Sequence, residues 1–551
     1  MFGVFGVLWV LWVLWVFFVV CVVWWLLVWW PVVWGWSGMV RWVQGQVVVV
    51  GGGPVGMLLA CELAGRGVRV VVVESRGAVS GCPKASVLHA RAVQCLVRRG
   101  YLGGLADGGA AGGAGAVGGA FHFAGIGGLV ISAPPAEPQP VLRCSQEVLE
   151  RHFEGRARAA GVRVLRGWRV VEVRQGAGGV RVVARGPGGT VVCTGGYLVG
   201  ADGARSVVRR QAGFVSRTWP ATVSAMAGDV RLGEGAALEE GWHRTERGWV
   251  VVRHVGGGVV RLRTLDCRGA HLRRDLPLGL EELRGEVGRI TGGDVAMGEG
   301  RWLSRFSDFS RLALCYRRGR VLLAGDAAHV HFPVGGQGLS AGVLDAVNLG
   351  WKLALAVRGR AGASLLDSYD LERRPAARRV IDNTRAQLAL MRPGPELDPL
   401  RALFGQLLAG GGGESGVLAS MVSGQDTVLP ARGPDASLWE GRFLDNVVLR
   451  TRRGAVDVIG LLREGSALLL LFGDRGAGGG YAGQARRWAG LVRVVHAEPV
   501  PRLACDALLV RPDGYIAWAP GAGGLAAALT ECFGRGAAPT RERGVLAGVA
   551  G

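Results

Sequence analysis

The sequence predicts an α/β fold: a parallel sheet opened by a dinucleotide-type crossover, interrupted by an antiparallel sheet, and followed by a separate α/β unit. Three observations carry that expectation. Residues 46–74 read as strand, glycine turn, helix and second strand. Residues from about 215 to 315 contain short runs that alternate apolar and polar, the mark of half-solvated antiparallel strands. Two apolar runs far downstream, ALLLLFGD (467–474) and LLVRPDGYIAWAP (508–520), suit strands of a further unit, the second with a turn at Pro512-Asp513-Gly514. The chain has 551 residues, too many for one hydrophobic core, so two or three domains are expected.

The first unit is the most specific. QVVVV (46–50) is a continuous β-branched run, as in a strand buried on both faces of a parallel sheet. GGGPVG follows, with Gly51, Gly53 and Gly56 in GxGxxG spacing and Pro54 at the head of the helical pattern MLLACELAGRG. The glycines have separate physical tasks. Gly51 permits the tight turn, Gly53 lets the backbone approach a pyrophosphate, and Gly56 allows close packing of helix on strand. The helix start offers unpaired N–H groups and a positive dipole end to phosphate. The second strand, VRVVVVE, ends in Glu74, where a carboxylate can accept both hydroxyls of a ribose; an acid there favours FAD or NAD over a phosphorylated ribose. The whole reads as a Rossmann-like unit.

Two later segments extend it. YLVGADGARSVVRR (197–210) is a strand followed by a turn at Asp202-Gly203, continued by Ser206 and Arg209. RVLLAGDAAHVHFPVGGQGLSAGVLDAVNLGWKLA (320–354) is a buried strand, then Gly325-Asp326 at its carboxyl end, where ligands sit in open α/β sheets. The glycine-rich HFPVGGQG leads into a helix expected from about Leu339 to Val357, with an anion site at its start. His329 and His331 form a His-x-His pair too weak to call a base or metal pair; no metal site is expected.

These three segments, in this order, resemble the class A flavoprotein monooxygenases, aromatic hydroxylases of the p-hydroxybenzoate hydroxylase fold. The resemblance implies FAD as cofactor, with NAD(P)H and O2 as co-substrates. It implies that Asp326 bonds the ribityl chain, that Gly335 to Leu339, Gly338 included, face the flavin pyrimidine, that Ser340 is a further cofactor-binding position, and that Pro333 shapes the site beside the ring. Asp202 and Gly203 would touch the flavin and nicotinamide sides. PKASVLHARAVQCLVRR (83–99) is similar to the family's arginine segment and maps a flavin contact to Arg91; SQEVLE maps an adenosine contact to Gln146. The sequence departs from the family at Ser340, where Asn is usual, at Gly81-Cys82, and in the Gly/Ala-rich stretch 102–119. No catalytic side chain is assigned.

The resemblance extends to the rest of the chain. It implies an FAD-binding domain in two parts, 46–214 and 316–400, an interleaved substrate-binding sheet at 215–315, and a thioredoxin-like C-terminal domain at 425–551. That last unit has no CxxC pair, so a structural role is expected of it. AHVHFPVGGQG, NTRAQLALMRP (383–393) and RPDGYIAWA look most like hydroxylases of angucycline and anthracycline pathways, with rifampicin monooxygenases as relatives. The implied activity is hydroxylation of an aromatic polyketide in antibiotic biosynthesis. Antibiotic inactivation, Baeyer–Villiger oxygen insertion and a poorly active flavin-binding pathway partner stand as alternatives. A homodimer is compatible with the reading.

Composition removes other classes. The net charge of +21 would suit nucleic acid, yet the basic residues are scattered and nearly all arginine, Lys84 and Lys352 being the lysines. No basic run is interleaved with stacking aromatics, so no nucleic-acid partner is expected. Residues 1–45 are a hydrophobic N-terminal extension, almost wholly apolar and Trp-rich through Trp36. It is long enough to span a bilayer but lacks a basic n-region and a small-residue cleavage site. Three readings compete for it: a membrane anchor, a membrane-surface segment, or translated upstream DNA with Met39 as the true start. The third fits best, because the first strand begins soon after Met39, and it makes the expected location cytoplasmic; a membrane partner follows only if residues 1–38 are genuine.

Overall fold

A computed structural model describes residues 15, 40–82, 84–105, 118–233, 238–271, 276–361, 363–410, 413–473, 480–521 and 523–536. The hydrophobic stretch 1–38, apart from Trp15, and most of the Gly/Ala-rich stretch 102–119 lie outside the described residues.

The central sheet has six strands in the order Arg317–Arg318, Val321–Leu323, Tyr197–Gly200, Val47–Val50, Val70–Glu74, Arg163–Arg166. All neighbours are parallel except the first pair. The valines of Val47–Val50 are buried on both faces, which is why that run shows no polar alternation. Strand order matters more than strand content. Tyr197–Gly200 pairs directly with Val47–Val50 and with Val321–Leu323. The three motif loops at 51–56, 201–206 and 324–336 therefore leave adjacent strands at the same edge. Backbone bonds stitch them: Ala201 N–H donates to the Val50 carbonyl at 2.7 Å and Ala324 N–H to that of Gly200 at 2.9 Å.

The expected extension 1–45 is corrected at its end. Val40–Gln44 is a strand, parallel to Gly189–Gly195 in a four-stranded sheet completed by Gly179–Gly186 and Arg169–Gly176. Only Val43 of it is buried, and in sequence it looked like the tail of the preceding apolar run. The helix expected from Leu339 begins earlier, at Gln337, and runs to Val357. It is buried on nearly every side. Within the described residues, the stretch 334–357 is the one helix long and apolar enough to cross a membrane, and 89% of its apolar 18-residue window is buried inside the protein, as a core helix is.

Above the motif loops stands a five-stranded antiparallel sheet, ordered Gly241–Thr245, Gly248–Gly256, Val259–Asp266, Ser224–Leu232, Met297–Ser307. Its outer face, with Met226, Val230, Val252 and Leu262, packs on Leu283, Val287 and Ile290 of the helix Leu280–Thr291. Its inner face meets the central domain: Ala225, Trp249 and Leu265 share a core with Phe332 and Val334 of the loop before the long helix.

The C-terminal unit is a four-stranded sheet ordered Val492–Ala497, Ala467–Phe472, Ala507–Val510, Ile516–Trp518, with a parallel pair at one edge and antiparallel pairing after it. The turn Arg511–Gly514 carries its attachment. Arg511 donates to both Glu372 oxygens at 2.8 and 2.7 Å, and also bonds Asp513. Lys352 lies 2.8 Å from Glu372, and Trp351 and Asn348 donate to Asp513, each at 3.2 Å. All four charges are buried, and two cations face two anions. Burial pulls the Lys352 ammonium down to about 8 against the opposing pull of Glu372. Such a cluster adds little net stability, but losing one member strands the others. Glu372→Gln is expected to destabilise the fold by about 3–5 kcal/mol, read as a lower denaturant midpoint.

Candidate functional site

The glycine loop has one crowded side and one open side. Gly51 holds φ +110°, and a Cβ there would lie 2.2 Å from the Ala201 carbonyl oxygen. A Cβ on Gly56 would lie 2.0 Å from the Gly51 oxygen. Gly53 differs: its Cβ would meet no atom within 4 Å. Gly53 caps the helix Pro54–Ala64 without any side-chain bond, and Pro54, at the first helical position, has no N–H to satisfy. Open space thus lies where the helix start presents its remaining N–H groups and its dipole. Glu74 is brought beside this loop. Its Oε2 accepts from Gly52 N–H at 2.6 Å and its Oε1 from Arg76 N–H at 2.8 Å, so the carboxylate is fixed by backbone.

The second loop is tied to the third. Asp202 Oδ2 accepts from the N–H groups of Val207 and Val208 at 2.7 and 3.1 Å, while Oδ1 is buried without a partner among the described residues. Burial pushes this carboxyl above its ordinary range. Gly203 beside it is open to a radius of 4 Å. Arg209 donates to the Ala327 carbonyl and the Ala204 carbonyl, each at 2.9 Å, which locks one loop against the other.

In the third loop Asp326 is exposed while Gly325, Ala327 and Ala328 around it are buried. Sequence reasoning missed the residue that holds this turn. Asp345 Oδ2 accepts from Gly325 N–H at 3.0 Å and lies 2.7 Å from His329 Nε2; its Oδ1 accepts from Arg373 Nε at 2.9 Å. Burial alone would raise Asp345, but His329 and Arg373 hold it below the usual carboxylate range. The signal was present: a carboxylate in the middle of the apolar run SAGVLDAVNLG needs a buried partner. His329 thereby helps to hold this turn through Asp345.

The loop turns through Pro333, Gly335 (φ +73°) and Gly336 (φ +64°) into the long helix, and Gly338 and Leu339 lie in its first turn. Ser340, the departure from the family, has a defined partner: its hydroxyl accepts from His89 N–H at 3.0 Å. His89 Nε2 lies 2.8 Å from the Gly335 carbonyl. Burial pulls His89 down to about 4, so the ring is neutral at pH 7 and its Nε2 donates. A buried amide ladder continues from the helix start. Asn383 donates to Gln337 at 3.1 Å, Gln387 to Asn383 at 3.3 Å, and Ala124 N–H to Gln387 at 3.0 Å. It joins the helix start to the tip of the hairpin formed by Gly118–Phe123 and Ile126–Ser132.

Two further residues expected to contact the cofactor differ in what they bond. Arg91 is buried against the polypeptide, donating to Gln94 and the Gln425 carbonyl, each at 2.8 Å, with its guanidinium 3.7 Å from the centroid of the Phe443 ring. Those bonds tie it to the C-terminal segment, because the helix Ala90–Arg98 presents that face to residues 425–443. Gln146 opens the helix Gln146–Ala159, and its N–H bonds the Ala85 carbonyl at 2.9 Å, but its side chain bonds nothing among the described residues. A cleft of about 870 Å3 lies at the opposite, amino ends of the strands, beside Gln46, Arg69, Tyr197 and Arg320, away from all three loops.

Open backbone at Gly53, a fixed acid at Glu74, an unpaired carboxylate oxygen at Asp202 and an exposed Asp326 fit a dinucleotide lying across the three loops. Fold and site define a protein of the flavoprotein class, with a sheet packed over the third loop. The comparisons agree. Family models described as FAD binding domain and as aromatic-ring hydroxylase, C-terminal, match residues 44–384 and 437–536. The chain belongs to the FAD-dependent aromatic-ring hydroxylases. It is 39% identical over 495 residues to the dialkyldecalin synthase of Streptomyces rugosporus, covering 89% of this chain and 98% of that one. The solved anhydrotetracycline hydroxylase of Streptomyces rimosus superposes with a TM-score of 0.81 at 35% identity, covering 90% of this chain and all of that one. An aromatic hydroxylase from angucycline biosynthesis gives 0.80 at 35%, with the same coverage.

FAD, when bound, supplies the redox chemistry, accepting a hydride equivalent from NAD(P)H and activating O2. The chain's own residues place it, fix the loops and shield the flavin edge. Gly53→Val is expected to leave the melting temperature within a few degrees yet lower FAD affinity at least about tenfold, since the added side chain meets ligand space and not protein. Gly51→Ala should reduce both, because its Cβ strikes Ala201. Visible absorbance and thermal melts of the two variants check this pair.

A pH dependence follows from His89. The unfolded histidine binds a proton near its ordinary value, about 6.5, whereas the folded one does so at about 4. Between those values the unfolded state holds the extra proton, so stability falls as pH drops through that window and levels off below it. The loss is on the order of 3 kcal/mol. Burial also pulls His122 down to about 4, so it adds in the same window. Urea midpoints between pH 7 and 4, with His89→Gln shrinking the drop, test it.

Proposed function

We propose that this chain hydroxylates an aromatic polyketide in the biosynthesis of an antibiotic, using FAD, NAD(P)H and O2. The observation that carries the reading is the likeness to two polyketide hydroxylases over 90% of the chain, the covering sheet included. Geometry supports it. Phe332 of the loop before the flavin helix lies 5.8 Å from Phe306 of the covering sheet, so an apolar wall seals the region beside the ring. Such a wall excludes water and holds a flat apolar substrate. FAD contacts are assigned to Gly51, Gly53, Gly56, Glu74, Asp202, Asp326 and residues 335–340. The cytoplasm is the place for such an enzyme, since NAD(P)H is there.

The decisive experiment supplies the FAD-loaded protein with NAD(P)H, 18O2 and a panel of aromatic polyketides. The expected result is substrate-stimulated NAD(P)H oxidation and one labelled oxygen in the product. No stimulation by any member of the panel would count against the reading.

A second reading has its own support, the 39% identity to a dialkyldecalin synthase. On that reading the pocket builds a decalin ring system. A product of unchanged mass, formed without NAD(P)H, would favour it.

A further inference from the structure

The inner face of the covering sheet can be read row by row, because directly paired residues share a face. The row nearest the flavin loop holds Trp249, Leu265, Ala225 and Phe306. The next row out, about 7 Å along the strands, holds Trp242, Val251, Arg263, Ala227 and Ser304. Beyond it, Arg261 pairs with Asp229 through two bonds of 2.7 and 2.8 Å.

Arg263 is out of place in that second row. It is the central position of an inward face, half-buried, and it makes no hydrogen bond or ion pair among the described residues. The carboxylate beside it, Asp229, already has both oxygens on Arg261. Two other arginines of this sheet are matched, Arg305 to Glu282 at 2.7 Å and Arg244 to Asp398, while Arg253 and Arg301 are exposed to solvent. Burial lowers the Arg263 guanidinium, Arg261 and Arg253 add to the strain, and Asp229 offsets it only in part. Its row neighbours Ala227 and Ser304 are small and leave room beside it. At the other end of the row Trp242 lies 4.5 Å from His122, which stacks on Phe121 at 4.9 Å. The face therefore offers an aromatic wall at one end and an unmatched cation in the middle.

We propose that Arg263 is the docking point for an acidic oxygen of the substrate, a carboxylate or an ionised phenol or enol, at the edge of a flat ring system whose other end lies on the Trp242–His122 wall. A desolvated guanidinium without a partner costs free energy, and an oxyanion that takes two of its N–H bonds removes that cost. The rings supply apolar area against Trp242, while the anion fixes which edge faces the flavin loop. Arg263 thus sets specificity and orientation, and takes no part in electron or oxygen transfer. The inference rests on the hydroxylase reading for the identity of the pocket, but its test needs no turnover.

The test titrates the oxidised, FAD-loaded protein with anthraquinone-2-carboxylate and with its neutral analogue 2-(hydroxymethyl)anthraquinone, following the perturbation of flavin absorbance. The carboxylate is expected to bind at least about tenfold more tightly. In Arg263→Gln the two affinities should converge to within about twofold, with the neutral analogue and the FAD content unchanged. Arg263→Lys should keep part of the preference, since it keeps charge but loses the two-pronged geometry. Equal affinities in the unaltered protein, no binding of either probe, or a preference that survives Arg263→Gln would each overturn the proposal. Because no NAD(P)H is present, absent hydroxylation would count against the function alone, whereas hydroxylation without an Arg263-dependent preference would count against this inference alone.

Discussion

The hydrogen bonds that set Val47–Val50, Tyr197–Gly200 and Val321–Leu323 side by side are the constraint on which the rest of the molecule depends. Each strand ends in a motif loop, and none of the loops alone could hold a dinucleotide. Pairing in this order brings a helix start, a buried carboxylate and an exposed aspartate to one edge. Backbone bonds at Ala201 and Ala324 and the Arg209 bridge to Ala327 then remove most of the freedom of those loops before any ligand arrives. Preorganisation of this kind spares binding energy that would otherwise be lost in ordering flexible backbone.

Around that edge the chain spends buried charge and polar groups on position. Asp345 fixes the turn bearing Asp326 from behind, and Arg373 and His329 neutralise it. The Glu372–Lys352–Arg511–Asp513 cluster anchors the C-terminal unit on the same long helix. Ser340, His89 and the Gln337–Asn383–Gln387 ladder fix the start of that helix. Since a buried ion cluster contributes little net stability, its effect here is geometric: the flavin helix cannot shift or rotate without breaking several such bonds. Arg263 is the contrasting case, a half-buried charge on an inward face that no group among the described residues answers.

Much of this was legible in the sequence. The GxGxxG loop, Glu74, Asp202 and Asp326 all sit at strand ends, because β-branched runs and glycines are local signals and the chemistry of a phosphate-binding turn is local too. The antiparallel runs of the covering sheet were equally plain. The strand Val40–Gln44 was hidden because it continues an apolar run and shows its character only through pairing with residues far along the chain. The Arg91 assignment followed a motif and could not foresee that its helix face would meet the C-terminal segment.

By itself, the sequence determined the class of unit, the cofactor chemistry and the residue types that serve it, since these depend on spacing within short segments. Only the tertiary structure decided which distant residues meet: Asp345 with the 325 turn, Ser340 with His89, Glu372 with Arg511, and Arg263 with no partner among the described residues. The physical reason is that a buried polar group is defined by its partner, and the partner is chosen by strand order and helix packing, which no local pattern encodes.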